Sequence, residues 1–133
     1  MRRALFVMSA LVLCGAIVGM PGHSAGADKP ESLMKRKLQH SQKVLDGVAL
    51  QDFKMIERHV EELIQISKLA EWRALKTPTY EIYSNDFRRI AGTLMENARK
   101  KNIDAAALSY VDLTLTCVKC HKHVREIRMT SAD

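Results

Sequence analysis

The sequence has little of what a β-fold, a nucleic-acid surface or a disulfide-stapled domain needs. No stretch alternates apolar and polar residues as a strand does, which removes a sheet and with it the strand–helix–strand setting of a thioredoxin-like dithiol. No segment repeats and none is compositionally simple, so repeat and low-complexity architectures fall away. Lys and Arg outnumber Asp and Glu by 21 to 15, but the longest basic tract is Lys35-Arg36-Lys37, without aromatic interleaving. The charge is that of solvated helix faces, and no nucleic-acid partner is expected. No catalytic acid–base pair is visible, which argues against an enzyme.

What is present begins with an N-terminal leader. Arg2-Arg3 precede an apolar run from Ala4 to Met20, Pro21-Gly22 break it, and Ala25-Gly26-Ala27 match a small-x-small cleavage pattern. The run is a little short for a membrane span of ~20 residues. The expectation is a secretory signal peptide over 1–27 and one mature domain over 28–133. Contact with a membrane would follow only if the leader stayed uncleaved. The domain would be periplasmic or otherwise exported, with a formal charge reduced from +6 to about +4.

Of the three cysteines, Cys14 leaves with the leader. Cys117 and Cys120 remain, inside Cys117-Val118-Lys119-Cys120-His121. A disulfide across two residues would close too short a loop to remove much chain entropy. C-x-x-C-H is instead the attachment signature of a c-type haem, in which both thiols form thioethers and the adjacent imidazole takes the iron. On a helix, spacings of three and four residues bring the three side chains to one face. A zinc site needs a fourth ligand, and His123 is expected on the far side of that helix.

Apolar periodicity predicts four helices. The first runs from about Glu31 to Val48 with a stripe of Met34, Leu38, Ser41, Leu45 and Val48, weakened at its end by Asp46-Gly47. The second starts at Asp52, an N-cap, and frays near Trp72. Thr77-Pro78 opens the third, whose first turns Ser84-Asn85-Asp86 are expected to distort. The fourth opens near Ile103-Asp104, and its buried stripe is expected to include Tyr110, Leu113, Thr114, Cys117, His121 and Val124. Short connections favour an all-α, antiparallel up-down-up-down four-helix bundle.

In that topology His121 is level with the start of helix one, the end of helix two and the start of helix three. Met34, Trp72, Tyr83 and Phe87 fall at that height, the aromatics as candidate walls of a haem pocket. Met55, His59 and Met95 fall at the other end, Met129 shares the helix of His121, and His40 sits toward a polar edge. Met34 is therefore the expected distal iron ligand. The alternatives are an open iron, with Met34 as packing, and a site covered by Leu33. Arg125, one turn past His121, is a candidate partner for a haem propionate or for the helix end.

The chain resembles the cytochrome c′ superfamily in Cys117-Val118-Lys119-Cys120-His121 with Arg125 beyond, in Val60-Glu61-Glu62-Leu63 followed by Trp72, and in Pro78 with Tyr83-Ser84. Lys37 to Leu45 and Ala70-Glu71-Trp72 are similar to a small exported c-type cytochrome family of planctomycete-type bacteria. The resemblance implies haem c on the two cysteines, His121 as proximal ligand and, as in low-spin relatives, a methionine near the start of helix one. It also implies a homodimer through helices one and two. The expected function is electron transfer to redox partner proteins, with Lys119 and Lys122 flanking the iron cofactor. The alternative is a five-coordinate module that binds nitric oxide or carbon monoxide for sensing or storage.

Overall fold

A computed structural model describes residues 32–69 and 72–131; the expected leader and its cleavage site lie outside the described residues. Ser32 accepts a hydrogen bond from the Lys35 amide and starts α1, Leu33–Leu50. Asp52 does the same for Met55 and starts α2, Phe53–Ile66. Thr77 caps α3, Pro78–Arg99, with Pro78 in its first turn, and Asn102 caps α4, Ile103–Thr130. Each cap satisfies an amide that the first helical turn leaves without a partner. All three starts expected from Asp52, Thr77-Pro78 and Ile103 are therefore found.

α1 packs closely on α2, α2 on α3 and α3 on α4, giving an all-α bundle in up-down order. The fourth seam, between α1 and α4, is thin by comparison. Val44, Ile56, Val60, Leu63, Leu94 and Leu113 fill the middle of the bundle and are almost wholly shielded from solvent. Burying such a side chain contributes roughly 1.5–3 kcal/mol. Among the described residues no helix is long and apolar enough to cross a membrane.

The helices differ from the sequence expectation in four places. Gly47 does not weaken α1, which continues to Leu50 and ends on Gln51 in the left-handed region at φ 55°. Gly47 is instead the point where α2 approaches: a Cβ there would stand 2.9 Å from Ile56 Cγ1 and 3.1 Å from the Ile56 amide nitrogen. α2 ends at Ile66, before Trp72. Ser84-Asn85-Asp86 leaves α3 undistorted, because Ser84 faces inward to accept from the Trp72 indole at 2.9 Å while Arg88 and Arg89 bind Asn85 and Asp86.

The fourth difference is rotational. The buried face of α1 is Lys37, Val44 and Gly47, one residue round from the expected stripe, and Met34, Leu38 and Leu45 are exposed. The buried face of α4 is Ala106, Ser109, Leu113 and Thr116. His121 is exposed, while Cys117 and Cys120 are half-buried. The charge on Lys37 hides the true face of α1 in the sequence. Its ammonium sits 4.4 Å from the centre of the Trp72 ring and 4.6 Å from that of Phe87, so aromatic faces receive the cation and its aliphatic stem packs inside.

Candidate functional site

The thin seam between α1 and α4 opens into a largely apolar cavity of about 740 Å³, within the ~300–1,000 Å³ of small-molecule and cofactor sites. Met34, Lys37, Leu38 and Ser41 line it from α1; Tyr110, Thr114, Cys117, Val118, His121 and Arg125 line it from α4. Met34, Leu38, Ser41, Tyr110, Thr114, Cys117 and His121 among them belong to the stripes expected to face the core. The rotation thus turns part of each apolar stripe into the wall of a groove.

Four of the residues singled out in the sequence meet here: Met34, Cys117, His121 and Arg125. Cys120 lies beside them, half-buried against the core, and both thiols are free. Burial pushes the Cys120 thiol up from its ordinary value, and the nearby Lys37 ammonium opposes that rise. His121 is exposed as a residue, yet protein atoms partly desolvate its ring; that effect, then the Lys37 and Arg125 charges, holds its pKa below the usual histidine value. Its imidazole is accordingly neutral at pH 7, the form that can donate a lone pair.

The three aromatics expected as pocket walls stand elsewhere. Trp72 and Phe87 are buried 5.0 Å apart, behind Lys37 and away from the cavity lining. Trp72 is pinned from α3 twice, because its indole donates to Ser84 and its carbonyl accepts from the Tyr80 hydroxyl. Tyr83 packs edge-on to His123, at 6.1 Å between ring centres. His123 lies on another side of α4, off the cavity lining as expected: its Nε2 is 3.0 Å from Thr77 Oγ1, joining the C-x-x-C-H end of α4 to the cap of α3.

Sequence reasoning missed two contributors. Lys37 is only 8% exposed and lines the same cavity as Cys117 and His121. Desolvation lowers its pKa, and the two cysteines pull it back up. Tyr110 spans the thin seam: its hydroxyl donates to the Ser41 carbonyl at 3.2 Å and lies 3.4 Å from Ser41 Oγ. The Tyr110 signal lay in the α4 stripe, but its partner 69 positions away leaves no local trace.

Among the described residues no group of three or more His, Cys, Asp or Glu side chains is arranged to hold a metal ion. No family model matches the chain, and neither the curated proteins nor the solved structures contain a match. The four-helix all-α domain is the level at which the fold is established.

Proposed function

We propose that this chain is an exported c-type cytochrome that carries one covalent haem and transfers electrons. The observation that carries the reading is the sharing of one apolar cavity by Cys117, His121 and Met34, which come from opposite walls. The haem, when bound, supplies one-electron chemistry at its iron. Cys117 and Cys120 hold it as thioethers, the neutral His121 ring is the proximal ligand and Met34 on α1 is the distal one. Lys37 and Arg125, two of the cations that line the cavity, receive its carboxylates, and Leu38, Val118 and Tyr110 flank it. The resemblance to the cytochrome c′ superfamily, and to its small planctomycete-type members, agrees with this assignment.

An electron carrier needs a partly exposed cofactor edge and a rigid setting rather than an acid–base pair. The exposed Val118, Lys119 and Lys122 around the motif provide an apolar spot ringed by positive charge. Such a surface favours an acidic redox partner protein. The leader assigns the protein to the periplasm or an equivalent exported compartment.

One observation favours a second reading. Met34 is 38% exposed, and Leu38, one turn along α1, lines the same cavity. An iron without the methionine would be five-coordinate and would bind nitric oxide or carbon monoxide. The ferric spectrum separates the two. The carrier shows the weak methionine-to-iron band near the red edge, loses it in Met34→Ala, and gains rapid carbon monoxide binding when that variant is reduced. A wild-type protein without the band that binds carbon monoxide as fast as Met34→Ala would establish the second reading instead.

A further inference from the structure

Outside the groove, at the seam of α1 and α2, two imidazoles meet. His40 Nδ1 lies 3.0 Å from His59 Nδ1, with the ring centres 5.2 Å apart and the planes tilted by 45°. Both residues are half-buried, and neither lines the cavity between α1 and α4. We infer that His40 and His59 form a binding site for a divalent transition-metal ion, copper(II) before zinc or nickel, held through both Nδ1 atoms in adjacent coordination positions.

The spacing is the first argument. Two nitrogens each ~2.1 Å from one metal ion and at right angles about it stand ~3.0 Å apart, as in a tetragonal copper site. Rigidity is the second. Both rings project from well-packed helices whose approach is set by Gly47 against Ile56, so little side-chain freedom remains to be lost on binding. Availability is the third. Desolvation, then His40, Arg58 and Lys43, lowers the His59 pKa, with only Glu62 opposing, so the ring is neutral and ligand-competent at pH 7.

Lys43, the nearest competing cation on α1, is held 3.0 Å from Asp46. Imidazole suits copper, nickel and zinc, and copper(II) binds most tightly of the three. The exchange balances without a redox step. In the metal-free pair one Nδ1–H is shared between the rings; on binding that proton moves to Nε2 of the same ring. Two nitrogen–metal bonds replace two metal–water bonds. No third His, Cys, Asp or Glu joins the two rings among the described residues. Water fills the remaining positions, and the site is exchangeable rather than structural.

The test is copper(II) titration of the full chain as purified, followed by calorimetry, electron paramagnetic resonance and amide NMR. The expected result is one copper per chain with two nitrogen donors, and paramagnetic broadening that begins at residues around 40 and 59. His40→Gln and His59→Gln should each weaken binding at least tenfold, and Lys43→Gln, with both rings intact, should bind at least as tightly as wild type. Broadening confined to residues 117–121, absence of stoichiometric uptake, or unchanged affinity in both histidine variants would overturn the site. The broadening pattern comes from the wild-type chain, so it reads the outcome even if a variant folds poorly. This inference does not depend on what occupies the groove.

Discussion

Gly47 and Gly92 are both helical glycines with ordinary backbone angles, yet alanine should act on them in opposite directions. In either helix the substitution lowers the entropy of the unfolded chain and raises helix propensity, gaining about 0.4–1 kcal/mol. At Gly92 a Cβ meets nothing within 4 Å, so this gain is all that remains. At Gly47 the Cβ would lie 2.9 Å from Ile56 Cγ1, 3.1 Å from the Ile56 nitrogen and 3.2 Å from the Asp52 carbonyl oxygen. Ile56 is wholly buried, and the other two are backbone atoms, one in the first turns of α2 and one in the two-residue connection before it, so nothing nearby can move cheaply. Overpacking of this kind costs ~1–3 kcal/mol. The helix term is common to both variants, so that figure is the expected gap between them. Urea unfolding of Gly47→Ala and Gly92→Ala should show midpoints below and above wild type respectively with unchanged slope. The melting temperatures should then differ by at least ~4 °C. A Gly47→Ala protein as stable as Gly92→Ala would refute the close approach of α1 and α2, and with it the rigidity assigned to the His40–His59 pair.

Thr77→Ala removes both the α3 cap and the partner of His123; a loss of about 1–2 kcal/mol in urea unfolding is expected, and a change within error would show the cap to be dispensable. The His59 pKa is lowered from 6.5 in the folded state, so the unfolded chain binds more protons in the window between the two values. Stability from this group is therefore fully present above the unfolded pKa and falls as pH drops through the folded one. His59→Gln should flatten that part of the stability–pH profile; an unaltered slope would contradict the assignment. Met34→Ala should abolish the red-edge band; retention of the band would remove Met34 as a ligand.

Where helices begin was legible in the sequence because caps are local: Asp52 and Thr77-Pro78 each signal through neighbours three positions away. Which face turns inward was less legible. A charged residue at the centre of a buried face, Lys37, contradicts the hydrophobic pattern, and only the distant Trp72 and Phe87 explain why it is tolerated. The one-residue rotation that follows decides whether Met34, Leu38 and Tyr110 belong to the core or to a groove. Gly47 read as a helix-weakening residue because its reason, the Ile56 side chain, lies on the next helix. The C-x-x-C-H stretch was legible as chemistry, and so was its height opposite Met34 at the start of α1; the open groove in which they meet was not. The His40–His59 contact joins positions 19 apart on two helices and leaves no sequence signature.

The central claim is that Cys117 and Cys120 hold a haem. Intact-mass and absorption measurements on the full chain, purified from a host that matures c-type haem and then denatured, test it most directly. The account predicts one haem of added mass that stays with the unfolded polypeptide and is lost in Cys117→Ala/Cys120→Ala. A colourless protein of unmodified mass whose two thiols react stoichiometrically would contradict it.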